Sequence, residues 1–114
     1  MLGLFKTKKL FEDLSSKEFK EKISKKGVQI IDVRTPAEFR KGHIKGAVNL
    51  DLSAFDFQKK IQELKKEENY FLYCRSGARS AVAARLMSQK GFKNVFNLDR
   101  GIMSWNGPLE TSNS

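Results

Sequence analysis

The chain has 114 residues, with 22 lysines and arginines against 13 aspartates and glutamates, a formal net charge of +9 and a single cysteine. That length builds one core but no tandem pair of domains, one cysteine excludes an intramolecular disulfide, and no run approaches the ~20 apolar residues of a membrane span. The lysines are scattered, usually with a carboxylate nearby and with no nucleic-acid motif among them, so the basic excess reads as solvated helix faces and not as a nucleic-acid interface.

Residues 1–8 form a basic extension with too few apolar residues for a signal peptide or a membrane-surface helix. Together with a thiol best suited to a reducing compartment, this reads as a cytoplasmic protein with no membrane partner. A domain is expected over 9–110. Lys9 to Asp13 reads as a first strand; Ser15 and Glu18 have capping-box spacing, with Leu14 and Phe19 as the hydrophobic staple of a helix that runs to Lys26 and stops at Gly27. Val28, Ile30, Ile31 and Val33 make the next strand, and Pro36 suits the first turn of a short helix through Phe39. Ala47 to Leu50 reads as a strand, and from Ser53 a helical pattern puts Phe57, Ile61 and Leu64 on one side. Tyr70 to Tyr73 is a buried strand, Ala81 to Met87 a small-residue helix, Asn94 to Leu98 a last strand, and Ile102 to Trp105 the start of a final helix. Residues 111–114 read as a frayed tail. This alternation predicts an α/β fold, a mainly parallel sheet with helices on both faces and ligands at the carboxyl ends of the strands.

Cys74 falls at one such end, where a strand turns into a helix. Unpaired N–H groups and aligned peptide dipoles at a helix start favour thiolate over thiol. Arg75 and Arg79 bracket the turn, and the only carboxylates within ten residues are Glu67 and Glu68, upstream of the strand. In such settings a thiol pKa of about 8.5 falls to roughly 3.5–7.5. Gly77 adopts positive φ without steric cost and lets the N–H groups from Arg75 through Ser76, Ala78 and Arg79 to Ser80 curl into an anion-binding nest. A cysteine serving only as a small core hydrophobe needs none of these neighbours.

Three segments carry a resemblance: IIDVRTPAEFRKGHIKGAVNL from Ile30 to Leu50, YCRSGARS from Tyr73 to Ser80, and GFKNVFNLDRGIMSW from Gly91 to Trp105. In order and spacing they resemble a single rhodanese-like sulfurtransferase domain, with Cys74 in the nucleophile's place. The resemblance implies a five-stranded sheet. It also implies a double displacement in which Cys74 takes sulfur from a small anionic donor such as thiosulfate, or from a protein persulfide, and passes it to a thiol or other thiophilic acceptor. Arg75 to Ser80 would bind substrate and stabilise the persulfide, and no cofactor is implied. One cysteine and one histidine also cannot make a thiolate or imidazole cluster for zinc.

The related cysteine phosphatases and arsenate reductases place five residues between cysteine and arginine, which here would require arginine at position 80. The chain has Ser80, and Arg79 leaves four intervening residues. The shorter loop resembles the sulfur-transferring branch. A non-enzymatic sulfur-carrier or protein-docking domain remains the alternative. Asp32, Arg34 and His43 are read as structural support: Asp32 and Arg34 anchor loops, with Glu38 as a partner for Arg34, and the resemblance implies that His43 belongs to a structural turn leading into a strand. Trp105 is read as packing the last helix.

Overall fold

In the computed structural model, residues 10–112 are described. The basic extension, Lys9 of the expected first strand, and the last two residues of the tail lie outside them. Seven strands, four α-helices and one 3-10 turn follow in order: β1 (Glu12–Leu14), α1 (Ser16–Ile23), β2 (Val28–Asp32), α2 (Pro36–Lys41), β3 (His43–Ile44), β4 (Val48–Asn49), α3 (Phe57–Gln62), β5 (Asn69–Tyr73), α4 (Ala78–Gln89), β6 (Asn94–Leu98), the 3-10 turn (Ile102–Ser104) and β7 (Leu109–Glu110). The main sheet has five strands in the order β1-β6-β5-β2-β4, every pair parallel. The carboxyl ends of all five therefore share one edge, and the loops after β2, β5 and β6 gather there.

Two apolar clusters cover the two faces because successive strand residues point to opposite sides. Ile31, Val33, Tyr70, Leu72 and Cys74 face Phe57 and Ile61 of α3 and Ala83, Ala84 and Met87 of α4. Ile30, Phe71, Tyr73 and Leu98 face Phe19 of α1, with Ile102 and Trp105 packed at the margin. Phe19 is fully buried and meets Phe71 and Trp105 edge-on, with centroids 5.5 and 5.8 Å away. Burial of such a ring stabilises by about 1.5–3 kcal/mol. Trp105 packs there as expected. Ser15 caps α1, donating its N–H to Glu18 and accepting from the Glu18 N–H.

Three expectations change. The helix expected from Ile102 is a single 3-10 turn, and its first two N–H groups bond to the Cys74 and Arg75 carbonyls of the cysteine loop. The turn expected at His43 is itself a two-residue strand, β3, paired antiparallel with β7. The chain from Ser53 passes through turns before α3 begins at Phe57.

Candidate active site

The Cys74 carbonyl ends β5 by accepting the Ile102 N–H at 2.9 Å, and the Arg75 carbonyl accepts the Met103 N–H at 3.2 Å. The loop then turns through Gly77, whose φ of 99° lies in the left-handed region, and α4 starts at Ala78. A Cβ at Gly77 would lie 2.0 Å from the Asp99 carbonyl oxygen, and one at Gly101 2.2 Å from that of Arg75. Glycine is required at both positions by positive φ and by backbone contact. The buried Asn97 side chain donates to the Gly77 carbonyl at 3.4 Å and to the Asp13 carboxylate at 3.0 Å. The turn after β6 and the Asn97 amide thus hold the cysteine loop from behind.

This curl aims its donors at one atom. Cys74 Sγ accepts from the Gly77 N–H at 3.1 Å, the Ser80 N–H at 3.4 Å and the Ser80 hydroxyl at 3.4 Å. Cys74 has no exposed surface. Burial pushes its thiol pKa up, but the Ser80 hydroxyl and the N–H groups of Ser80, Gly77 and Ser76 outweigh burial and bring the net below the ordinary value. Cys74 belongs to the apolar cluster, but its sulfur accepts from three donors, so burial here does not mean a neutral thiol.

The two arginines separate. Arg79 forks onto Glu38, with Nη1 to Oε1 at 2.9 Å and Nη2 to Oε2 at 3.1 Å. The Arg79 hydrogen bonds hold the Glu38 carboxyl well below the usual range, at about 2. Glu38 also closes a capping box with Thr35, so the ion pair ties α2 to the start of α4. The expectation that Glu38 partners Arg34 is corrected here. Arg34 instead clasps the buried Asp32 carboxylate, with Nε to Oδ1 at 2.9 Å and Nη2 to Oδ2 at 2.6 Å, and also donates to the Gly42 carbonyl. Asp32 is thereby neutralised at the end of β2, the hydrogen-bonded pairing that a buried ion pair needs. Arg75 is exposed, and its side chain has no hydrogen bond or ion pair among the described residues.

His43 is buried away from this chemistry. Its ring stacks on Phe39 at 3.7 Å, its Nδ1 lies 2.9 Å from the Phe39 carbonyl and its Nε2 3.7 Å from Glu110. Tyr73, the residue before the cysteine, accepts the Ile44 N–H on its hydroxyl at 3.0 Å, and burial pushes that hydroxyl's pKa up. Sequence reasoning missed Gly101, Asn97 and the true partner of Glu38. The Thr35-x-x-Glu38 spacing would have placed Glu38 at a helix start, but its contact with Arg79 spans 41 positions. Among the described residues no group of three or more His, Cys, Asp or Glu is placed to hold a metal, and no helix is long and apolar enough to cross a membrane.

A parallel sheet carrying a cysteine in a loop of inward N–H groups defines an α/β domain with a cysteine-cradling loop at the carboxyl end of its sheet. Residues 15–108 match the family model described as the rhodanese-like domain. The chain belongs to the rhodanese-like family. It is 37% identical over 99 residues to a putative sulfur carrier protein, YrkF, of Bacillus subtilis, a match covering 86% of this chain and 52% of that protein. The chain thus spans about half of that relative. It is 38% identical over 78 residues to a sulfurtransferase of Allochromatium vinosum, covering 68% of this chain and 71% of that one. The crystal structure of a rhodanese-like domain protein from Staphylococcus aureus superposes with a TM-score of 0.79 at 28% identity, covering 90% of this chain and all of that one.

Proposed function

We propose that the protein is a sulfurtransferase that carries sulfane sulfur as a persulfide on Cys74. The observation that carries this reading is the convergence of the Gly77 N–H and the Ser80 N–H and hydroxyl on Cys74 Sγ. Donors fixed around an anion before the reaction need no reorganisation when charge develops. The relatives named sulfurtransferase and sulfur carrier support the same class of chemistry.

In the first half-reaction the Cys74 thiolate attacks the outer sulfur of a donor. A new S–S bond forms at Sγ as the donor's own bond to that sulfur breaks, and the electron pair leaves on sulfite from thiosulfate, or on a thiolate from a persulfide. In the second, an acceptor thiolate attacks the terminal sulfur of the Cys74 persulfide. The Sγ–S bond breaks, and its electron pair restores the thiolate in its cradle. One difficult transfer becomes two easier ones, with no net redox change and no cofactor in either step. Ser76, Gly77, Ala78 and Ser80 supply or shape the cradle, while Arg75 offers an exposed positive charge at its rim. Asp32, Arg34 and His43 support it from outside.

Intact-mass measurement after incubation with thiosulfate, a polysulfide or glutathione persulfide tests the proposal. A gain of about 32 Da, one sulfur atom, is expected on the wild type and none on Cys74→Ser. Equal gains on both proteins, or none on either with any donor, would refute sulfur handling by Cys74; the second result would favour a docking domain. Catalytic turnover of a thiol acceptor, lost in Cys74→Ser, then separates a transferase from a carrier that is loaded but does not turn over.

A further inference from the structure

Behind the cysteine loop, two polar side chains interrupt an otherwise apolar face of the sheet. Leu72 on β5, Asn97 on β6 and Asp13 on the edge strand β1 stand in register, so their side chains point to one face. Two positions earlier on that face, Tyr70 and Val95 are buried in the cluster under α3 and α4, to which Leu72 also belongs. Asn97 is 1% exposed there. A buried amide is costly unless it is hydrogen-bonded, and an apolar residue in its place would continue the cluster. The Asn97 Nδ2 group instead joins two elements, donating to Asp13 Oδ1 at 3.0 Å and to the Gly77 carbonyl at 3.4 Å.

That carbonyl does not need the amide to be satisfied. It already accepts the Ala81 N–H at 3.1 Å, and Gly77 is the N-cap residue of α4. The second hydrogen bond adds position, because the N–H of the same glycine makes the shortest of the three contacts with Cys74 Sγ, 3.1 Å against 3.4 Å for each Ser80 donor. We propose that Asp13 and Asn97 act together as positioning residues for Cys74: the Asp13 carboxylate turns the Asn97 amide so that its NH2 group holds the Gly77 carbonyl, and this keeps the Gly77 N–H on Sγ. Carboxylate and carbonyl are both acceptors, so only the NH2 end of the amide serves them. The edge strand β1, separated from β5 by β6, thereby acts on the sulfur.

The inference deepens the reading of Cys74, but it concerns the thiolate before any sulfur is bound. Its test needs no sulfur donor, so a failure of persulfide loading and a failure of positioning appear in different experiments. Iodoacetamide alkylation of the full chain is followed against pH, and denaturant melts report whether each variant is folded. Asn97→Leu keeps the branched shape and removes both hydrogen bonds. Its midpoint is expected about half a pH unit above wild type, a partial loss of one hydrogen bond to a charged atom. Asp13→Ala gives the sharper sign. Removing a negative charge near a thiolate by itself favours the anion and lowers the midpoint, whereas releasing the Asn97 amide raises it; a rise is expected, smaller than in Asn97→Leu because the two effects oppose. Asp13→Asn loses the charge but keeps an acceptor oxygen, and its midpoint should not rise. Adding Asp13→Ala to Asn97→Leu should bring no further rise, since both act through one chain of contacts. A merely structural pair would lose stability in the melts without moving the midpoint. A midpoint at or below wild type in Asn97→Leu or Asp13→Ala, an equal rise in Asp13→Asn and Asp13→Ala, or a further rise in the double variant would each overturn the assignment. If Asn97→Leu does not fold, the two variants at Asp13, which is only half-buried, decide the question.

Discussion

Burial alone would raise the pKa of a thiol with no exposed surface, because taking an anion out of water disfavours it. At Cys74 the opposite net shift follows from the donors that replace water around the sulfur, and the largest single opposing contribution is the Ser80 side chain. Ser80 is fully buried, and its hydroxyl donates to Sγ at 3.4 Å. The sign follows directly. A folded-state thiol pKa below the unfolded value populates thiolate at lower pH, stabilises the fold above the unfolded thiol's pKa, and loses that contribution as pH falls through the folded value. The rate of iodoacetamide alkylation should therefore rise with pH and level off with a midpoint below the ~8.5 of a free thiol. Ser80→Ala keeps both backbone donors but removes the hydroxyl, and its midpoint should move up by about one pH unit, the ~1.4 kcal/mol scale of a hydrogen bond to a charged group. An unmoved midpoint would show that the hydroxyl contributes nothing to the thiolate.

At the scale of elements, the cradle is held by the segment after β6 as much as by its own sequence. Gly101 has φ 67° and so little clearance that a Cβ would lie 2.2 Å from the Arg75 carbonyl oxygen, and the next two N–H groups bond the Cys74 and Arg75 carbonyls. Gly101→Ala should push this segment off the cysteine loop, disorder the curl and raise the Cys74 pKa. Gly27→Ala is the matched control: it too has positive φ, but nothing lies within 4 Å of its Cβ position. Both variants should lose about 1 kcal/mol or more in denaturant melts, since alanine is strained at positive φ. Only Gly101→Ala should shift the thiol titration, and a shift of the same size in Gly27→Ala would reduce the role of Gly101 to general stability. This contact also marks where sequence reading runs out. The starts of α1 and α2, the alternating strands, the common apolar cluster of Leu14 and Phe19 and the place of Cys74 were legible because each depends on spacing of a few residues. The β3–β7 pair was not, because two-residue strands carry no periodicity and His43 finds Glu110 only after the chain has folded. The Glu38–Arg79 pair escaped for the same reason, and with it the fact that Arg79 already has a partner.

For the whole molecule, the net charge of +9 acts on substrates before any contact forms. Much of it lies on exposed lysines distant in sequence from Cys74, such as Lys17, Lys20, Lys25 and Lys26 around α1, which bear on no bond that forms or breaks. Their summed field still draws small anions toward the protein, and charges further apart than a Debye length act only at low salt, since that length falls from about 30 Å at 0.01 M to about 8 Å at 0.15 M. The second-order rate of Cys74 loading by thiosulfate should therefore fall severalfold over that range, while alkylation by uncharged iodoacetamide at a pH well above the thiol midpoint should hardly change. The comparison isolates the field, because both reactions use the same thiolate in the same cradle. If the two rates fall together, salt is acting on the thiolate or on the loop around it; if neither falls, the basic surface plays no part in gathering the donor.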